Sequence, residues 1–473
     1  MSETISEMIL PGTYIDVRAE GLIGVGGIAS GNIGVVGTAN RGPVNQAKLL
    51  GSFSDALDTF GSPDRWPDAA IDQPKALSLT RTLEQLFKGG ASSVYAVRVA
   101  NLAGTMPSTT WTVTRDNGGT DQTLFQIVAR TPGTWANTIA ITFSAVGVPT
   151  IALSYGRFKE EFSGANATAL SAAIAASSAL VTTANLANGE RVPEKISAPA
   201  AVASNGDAPT TTEIASGLAL LAVRPVNIVV VAGMDQKTVA GSVLAHLEAT
   251  ENDGRERIAV LGASSDTPDV VISDDVSKGS NPRLVLVAPG LIADDSARVG
   301  EPNKSVKLPA SYAAALVAGK LATLAPHVSL TNKDVPADDL SVEYTRSQQK
   351  QLLNSNVLVL QKNLGIRVLK SITTDTGAFR QISVRRIVDY AKEGVRRGSN
   401  PYIGRLNNPR VRGALKATLD GFLSQMVLDE MLTGYTLDVS ATRAQEIAGQ
   451  ALVTMTLQPT FSIDYVKVIM NLN

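Results

Sequence analysis

The sequence predicts a multidomain α/β and β protein, with an α/β core, an inserted, mainly β domain, and extended N- and C-terminal arms. Three observations predict this architecture. Short, nearly continuous apolar segments alternate with helical patterns, which is typical of a parallel sheet covered on both faces. This alternation stops after Val99 and resumes near Ile214. Both ends of the chain carry extended segments that are set off by a proline.

The first hundred residues contain the predicted N-terminal arm and the start of the α/β domain. Residues 1–20 are polar and then alternate, which predicts an extended arm that contains a strand. Residues 21–101 are the first part of the α/β domain. The apolar spacing predicts strands at Ile33–Gly37 and Ser93–Val99, with a helix over Leu77–Phe87 between them.

Residues 102–209 are predicted to be the inserted, mainly β domain. Turn signals at Asn117-Gly118-Gly119 and Pro132-Gly133 separate its alternating segments. An alanine-rich helix is predicted in the middle of residues 163–204, and Ser204–Pro209 is predicted to be a linker. The predicted strands are Trp111–Thr114, Thr123–Ala129 and Thr138–Phe143.

Residues 210–340 are the predicted second part of the α/β domain. Its strongly apolar segments and helical patterns alternate as they do before the insertion. We therefore expect both parts to share one largely parallel sheet. The predicted strands are Val226–Ala232, Ile258–Gly262 and Leu284–Ala288, and the predicted helices are Gln236–Thr250 and Ser311–Ala325.

Residues 341–459 are a predicted C-terminal α+β domain, and residues 460–473 are a predicted arm strand. Asn408-Pro409 predicts the start of a helix, since asparagine caps helices and proline suits the first turn. The apolar face of this helix continues to Gly434. The other predicted elements are a helix at Val384–Val395 and strands at Asn356–Val359, Gly365–Lys370 and Val453–Gln458.

The composition excludes several classes of function. The 473-residue chain has no cysteine, which excludes thiol catalysis, cysteine-ligated zinc, iron–sulfur clusters and disulfides. Its two histidines, His246 and His327, have no metal-ligand spacing, so no metal or cofactor is predicted. The formal net charge of -1 excludes a bulk polycation but not a local basic patch. The apolar segments are too short to span a membrane, and we expect a soluble product without membrane insertion.

An α/β enzyme or ligand-binding protein is the main alternative to a structural role. The glycine-rich segment Gly24–Ala29 lacks the strand and the helix that flank a phosphate-binding loop. No set of nucleophile, base and orienting group emerges from the sequence. A ligand-binding protein of this class would use the carboxyl ends of strands, near Ala232-Gly233 and Ala288-Pro289-Gly290.

The segment from Arg380 to Lys416 is strongly basic. It contains ten basic residues and only two acidic residues, Asp389 and Glu393. The segment could be a solvated face or could form ion pairs with acidic residues elsewhere in the chain. It could also be a docking surface for an acidic partner. Nucleic-acid binding is a third interpretation, but the aromatic side chains that stack on bases are not interleaved here. The basic residues are Arg380, Arg385, Arg386, Lys392, Arg396, Arg397, Arg405, Arg410, Arg412 and Lys416.

Six segments match one protein family in their order and spacing. They are Pro11–Ile15, Gly34–Pro43, Asp55–Gly61, Leu79–Val99, Thr131–Phe143 and Asn363–Thr374. Together they resemble the contractile tail sheath proteins of long-tailed phages, pyocins and related contractile injection systems. In Thr131–Phe143, a glycine and a tryptophan precede an asparagine and a strand, as in the similar sheath motif.

The resemblance implies a structural function without catalysis. Related sheath subunits stack as six-fold rings around an inner tube and shorten on a baseplate trigger, which drives the tube through a target envelope. The implied partners are further copies of this chain, the inner tail tube protein, and the baseplate and tail terminator proteins, without direct nucleic-acid contact. The implied location is a virion tail or phage-tail-like particle assembled in the host bacterial cytoplasm. Another repeating phage structural protein, such as a tube or capsid component, is the alternative.

The resemblance also implies positions for the domains. Residues 102–209 would be an outer domain, and residues 341–459 would lie close to the tube. The basic segment would then face the tube through many modest ion pairs that can be released together. The expected tube-facing residues are Arg385, Arg386, Lys392, Arg396, Arg397, Arg410, Arg412 and Lys416.

The two arms are expected to exchange strands with neighbouring subunits, as in similar sheaths. A terminal strand added to the edge of another sheet gains a full ladder of main-chain hydrogen bonds. Pairing of both segments inside their own subunit is the alternative. The expected arm residues are Thr13, Tyr14, Ile15 and Val17 at one end, and Ile463, Tyr465, Val466, Val468 and Met470 at the other.

Overall fold

A computed structural model describes residues 27–66, 77–101, 108–199, 203–206, 208–275 and 279–470. The N-terminal arm residues Thr13, Tyr14, Ile15 and Val17 lie outside these ranges. No helix in the described ranges is both long and apolar enough to cross a membrane.

Within these ranges the chain forms twenty strands and eleven α-helices. The strands are β1 (Ile33–Gly37), β2 (Ala47–Leu50), β3 (Val94–Arg98), β4 (Thr110–Asp116), β5 (Asp121–Ala129), β6 (Ala140–Ser144), β7 (Thr150–Tyr155), β8 (Phe158–Ser163), β9 (Val181–Ala184), β10 (Lys195–Ile196), β11 (Ile228–Val231), β12 (Ile258–Gly262), β13 (Leu284–Ala288), β14 (Leu291–Asp294), β15 (Ser305–Leu308), β16 (Asp339–Leu340), β17 (Leu358–Lys362), β18 (Ile366–Val368), β19 (Leu432–Ser440) and β20 (Leu452–Pro459). The helices are α1 (Phe53–Phe60), α2 (Leu79–Lys88), α3 (Ala167–Ser177), α4 (Thr211–Ala222), α5 (Gln236–Asn252), α6 (Pro268–Asp274), α7 (Ala310–Ala322), α8 (Arg346–Asn354), α9 (Ile382–Ser399), α10 (Pro409–Leu428) and α11 (Arg443–Ile447).

The centre of the molecule is an eight-stranded sheet with the order β18-β17-β13-β12-β11-β1-β3-β2. The neighbours from β17 to β3 run parallel, and the two outermost strands run antiparallel to them. In register, Val35 of β1 lies between Val230 of β11 and Ala96 of β3. The sheet therefore joins residues from both sides of the insertion, as the apolar segments predict.

Helices cover both faces of this sheet. α2 and α7 pack on one face, where Leu83 and Leu316 belong to the same buried cluster as Val35. α4 and α5 pack on the other face, around Val36. Strands β1, β11, β12 and β13 are buried at every residue, so they read as continuous apolar segments rather than as alternating ones. The predicted α/β core is confirmed.

The segment between Asn101 and Ala208 has a hydrophobic core of its own. One sheet has the order β10-β4-β5-β9, a second has the order β6-β7-β8, and α3 packs beside them. Trp111, Phe125 and Leu170 belong to this core, which is separate from the clusters around the central sheet. The predicted alanine-rich helix is present as α3, but it lies nearer to the start of residues 163–204, and β9 occupies the predicted position.

Residues 382–459 contain two long helices and a β-hairpin. The predicted cap at Asn408 is confirmed, since its side chain accepts a hydrogen bond from the backbone N–H of Val411. The prediction that this helix continues to Gly434 is wrong. α10 ends at Leu428, and Glu430 with a φ of 61° turns the chain into β19. No glycine or proline lies between Leu428 and Gly434, so the sequence carries no stop signal at the true end of the helix.

Removal of residues 102–209, with a short flexible loop in their place, is expected to leave a cooperatively folding α/β core. The reason is that the cluster of the inserted segment shares no buried hydrophobic residue with the clusters of the central sheet. Thermal unfolding followed by circular dichroism, with the full chain as the control, measures this. A deletion variant without a cooperative transition would contradict these boundaries.

Candidate assembly surfaces

The basic segment begins on α9, and its first two cations are buried. The side chain of Arg385 is only 5% exposed, and Arg386 as a whole residue is only 7% exposed. Arg385 pairs with Asp389 at 2.6 Å and stacks over Phe379. Arg386 donates hydrogen bonds to the carbonyl oxygens of Ser30 (3.1 Å) and Leu324 (2.9 Å), and burial lowers its pKa to about 10. The expectation that Arg385 and Arg386 belong to an exposed tube-facing surface is therefore wrong, because α9 turns them into its own subunit.

The remaining cations of α9 pair with carboxylates of the same chain. Lys392 lies 3.0 Å from Glu251, and Arg396 lies 2.9 Å from Glu256. Arg397 pairs with Glu393 one turn earlier on the helix, at 2.6 Å. These contacts correspond to the alternative of ion pairs with acidic residues elsewhere in the chain. On α9, most of the basic pattern is thus neutralised within the subunit.

The ion pairs of α9 with Glu251 and Glu256 form a junction between this helix and the central sheet, and Arg283 lies at its centre. Its side chain is only 4% exposed, and its guanidinium contacts Glu251 at 2.6 Å and Asp389 at 2.7 Å. The hydrogen bond from Arg283 is the main reason that the pKa of Glu251 falls to about 2. A carboxylate with such a low pKa stays ionised, so the junction is held by charge-assisted hydrogen bonds.

Apart from Arg397, which is exposed and pairs with Glu393, the exposed cations of the segment lie on α10 and on the loop before it. Lys416 is half exposed and pairs loosely with Asp438 at 3.5 Å, whereas Arg412 is largely covered and pairs with Glu446 at 2.9 Å. Arg405 and Arg410 are exposed. Of the expected tube-facing residues, the structure therefore exposes Arg397 on α9 and both Arg410 and Lys416 on α10, and it also exposes Arg405. The exposed apolar residues Ile403 and Leu406 lie on the same loop.

Small residues form one exposed face of α10. Gly413, Ala417 and Gly421 follow one another at four-residue spacing, and all three are exposed. A Cβ atom at either glycine would meet open space, so no contact within the subunit requires glycine there. Each glycine in a helix interior is about 1 kcal/mol less favourable than alanine. This face can approach another surface closely.

The C-terminal segment after β20 is exposed and forms no strand in the described part of the chain. The residues Val466, Val468, Ile469 and Met470 are 72 to 85% exposed. Ile463 and Tyr465 are similarly exposed, although the Tyr465 hydroxyl lies 3.1 Å from Lys370 Nζ. In this conformation, the predicted C-terminal strand therefore has no partner strand among the described residues of its own subunit.

A hairpin with two open edges lies beside α10, and sequence patterns did not identify its first strand. β19 and β20 pair only with each other among the described residues. Tyr435, Leu437 and Leu457 face the helices, while Thr436 and Thr456 face outward. The alternation in β19 was available as a signal, but the extended helix prediction overlapped it. Open edges of this kind can accept strands from another chain.

Comparison with known proteins gives the family. The phage tail sheath protein central domain matches residues 207–374, and the phage tail sheath C-terminal domain matches residues 374–473. Together these matches span more than half of the chain. The chain belongs to the phage tail sheath family. No curated protein matches it in sequence.

Solved sheath structures have the same fold. The sheath tail protein of Desulfitobacterium hafniense aligns with a TM-score of 0.64 and 16% identity, over 95% of this chain and 100% of that chain. The sheath tail protein of Listeria innocua aligns with a TM-score of 0.66 and 13% identity, over 92% and 93%. The helical sheath of the anti-feeding prophage in its contracted state aligns with a TM-score of 0.57 and 14% identity, over 98% and 99%. At these identities the similarity shows the fold.

Two of the sequence motifs of this sheath family member meet in the structure, although about ninety residues separate them. Arg41 lies over the ring of Trp135 at 4.7 Å, and Tyr155 and Phe158 enclose the same guanidinium at 5.2 Å each. A Cβ atom at Gly133 would overlap the Asn40 carbonyl, which explains the glycine of the second motif. The two motifs therefore form the joint between the central sheet and the inserted segment.

A cavity of about 580 Å³ lies at the carboxyl ends of β1, β11 and β12, where the ligand-binding alternative places its site. Its lining includes Gly233, Asp235 and Asp266. Asp235 caps α5, and Asp266 pairs with Lys307 at 3.2 Å and accepts a hydrogen bond from the Gly290 N–H. Both carboxylates thus make structural contacts within the subunit. Among the described residues, no group of three or more His, Asp or Glu side chains could hold a metal ion.

Proposed function

We propose that this chain is the structural subunit of a contractile tail sheath. It polymerises as stacked six-fold rings around an inner tail tube and contracts to drive that tube through a target cell envelope. Its partners are further copies of itself, the tube protein, and the baseplate and tail terminator proteins of a phage tail or tail-like particle. The family match across residues 207–473 carries this proposal. The function needs no catalytic site.

Strand exchange between subunits accounts for the exposed C-terminal segment. Val466, Val468 and Met470 alternate on one face, and large apolar side chains on an extended, unpaired segment favour pairing with another sheet. The β19–β20 hairpin offers two open strand edges with which an extended segment can pair. Addition of a neighbour's segment to such an edge would cover both the apolar side chains and the free main-chain groups.

The surface that contacts the tube is proposed to lie on α10 rather than on α9. Arg405, Arg410 and Lys416 are its exposed cations, while the small residues from Gly413 to Gly421 allow close approach. Exposed ion pairs contribute about 0.2–1 kcal/mol each, so many of them together can hold a tube and still release it. On α9, Arg385 and Arg386 are buried, so that helix is less suited to this role. Its residues Lys392 and Arg396 contact carboxylates that belong to the α/β domain of the same subunit.

A tryptophan at Gly413 is expected to leave the subunit folded and to prevent its assembly on the tube. The open space at this position accommodates a large side chain, but the side chain then separates α10 from the tube. Alanine at the same position should instead raise the free energy of unfolding by about 1 kcal/mol, because alanine favours the helix. Urea unfolding and electron microscopy of subunits mixed with tube protein measure the two effects.

The matched control for this experiment is Gly241→Trp on α5, where an added side chain also meets open space. This variant should assemble normally, because α5 is not part of the proposed tube-contacting surface. Normal cylinders formed by the Gly413→Trp chain would show that this face of α10 does not contact the tube.

Electron microscopy of the chain produced together with its tube protein tests the proposed function as a whole. Striated hollow cylinders around a tube are expected. Discrete globular particles of fixed small size would contradict a sheath and would favour the ligand-binding alternative. Closed shells, or tubes built from this chain alone, would point to another repeating structural protein.

A further inference from the structure

Asp464 is largely covered, although its neighbours in the C-terminal segment are exposed. The side chain of Asp464 is 10% exposed, between Ile463 and Tyr465, which are exposed by about 80%. Its carboxylate lies 3.3 Å from Lys370 Nζ and accepts hydrogen bonds from Thr331 Oγ1 (3.2 Å) and Gln381 Nε2 (3.3 Å). A carboxylate that is largely removed from water is costly unless it is paired, and this one has four partners on its own subunit, since the Ser462 hydroxyl also donates to it at 3.4 Å.

The residues around Asp464 are held at the same place. The Ser462 N–H donates to Gln381 Oε1 at 3.2 Å, and the Thr460 N–H donates to the Met431 carbonyl at 3.1 Å. From Val466 onward, the described residues are exposed and form no strand. The segment thus has a fixed part that ends near Tyr465, and a free part that starts at Val466.

The described N-terminal end of the chain is attached to the same helix. Gln381 directly precedes α9, and Arg397 near the end of α9 donates to the Gly27 carbonyl at 3.2 Å. Arg386 donates to the Ser30 carbonyl, and Ile28 packs among the apolar residues of α9 and α10. Both ends of the described chain therefore have contacts with α9 or with Gln381 directly before it.

We propose that α9 transmits pulling force from both ends of the chain into the α/β domain, and that Asp464 is the anchor that fixes where the exchanged strand leaves its subunit. This inference rests on the proposed strand exchange. Arg283, Glu251 and Glu256 connect α9 to the central sheet, so force that reaches α9 is passed to the whole domain. The Asp464 anchor keeps residues 460–465 in place while residues from Val466 onward pair with a neighbour.

Hydrogen exchange of the isolated subunit tests the anchor without any assembly. Asp464→Asn removes the charge with little change of shape, and amides in residues 460–465 are expected to exchange about tenfold faster, which corresponds to the loss of one charge-assisted hydrogen bond. Lys370→Met should have the same effect, while the exchange of α9 stays unchanged. Glu161→Gln, on the exposed face of β8, is the control. Unchanged exchange in both anchor variants would overturn the Asp464 anchor.

Urea dissociation of assembled cylinders tests the transmission of force. Asp464→Asn subunits should still polymerise, because the free part of the segment is intact, but their cylinders should come apart at lower urea concentration than those of Glu161→Gln. Equal midpoints would overturn the role of Asp464 in the assembly. Absence of cylinders from the unmodified chain would count against the proposed sheath function, whereas the exchange result on the monomer would still decide the anchor.

Discussion

A chain that ends at Thr460 is expected to fold normally and to form no cylinders. The deletion removes the exposed segment that is proposed to pair with a neighbour, and it leaves the β19–β20 hairpin and the helices complete. Most of the deleted side chains are exposed, so the loss of buried apolar area is small. Circular dichroism measures the fold, and sedimentation with electron microscopy measures polymerisation.

A second truncation, after Tyr465, separates assembly from folding. This chain keeps the Asp464 contacts with Lys370, Thr331 and Gln381, so no cation is left without its partner. It should be as stable as the full chain and equally unable to polymerise. Normal cylinders from either truncated chain would refute strand exchange. A loss of structure in the chain that retains Tyr465 would favour a role for the segment inside its own subunit.

The central sheet could be predicted from the sequence because its strands are buried on both faces. Such strands appear as short apolar segments, and β1, β11, β12 and β13 all show this pattern. β2 was missed because it is an edge strand with exposed residues, and β19 was missed because a helix prediction extended over it. Half-exposed strands carry a weaker pattern that neighbouring helices can obscure.

The candidate surfaces were harder to predict, since charge patterns do not reveal their partners. Arg396 pairs with Glu256, which is 140 residues away in the sequence, and Arg386 bonds only to backbone carbonyls. Neither partner could be identified from the local sequence. The exposed C-terminal segment was predicted as an alternating strand, but the burial of Asp464 was not, because nothing in the alternation distinguishes that carboxylate. Tertiary contacts alone show which charges are already neutralised.

Arg283→Met is expected to lower the free energy of unfolding by about 1.5–3 kcal/mol, the range for the loss of hydrogen bonds to charged groups. The substitution removes one of the two arginines that contact Asp389, whose side chain is 14% exposed, and leaves Arg385 as the other. It also removes the bond to Glu251, which is 37% exposed and can regain water more easily. Urea unfolding measures the loss.

The triple variant Arg283→Met/Arg385→Met/Asp389→Leu shows whether the loss comes from an incomplete set of charges, because it removes Asp389 together with both of its arginine partners. Replacement of a whole buried set of charged partners by apolar side chains is often neutral or stabilising, so this chain should regain most of the stability that the single variant loses. Arg397→Met, in the exposed pair with Glu393, is the matched control on the same helix and should cost less than about 1 kcal/mol. A loss of that small size for Arg283→Met would contradict a central role for Arg283. The triple variant could regain its stability while its cylinders still dissociate at a lower urea concentration than those of the unmodified chain. That result would show that the assembly depends on the charged contacts between α9 and the sheet and not only on the stability of the subunit.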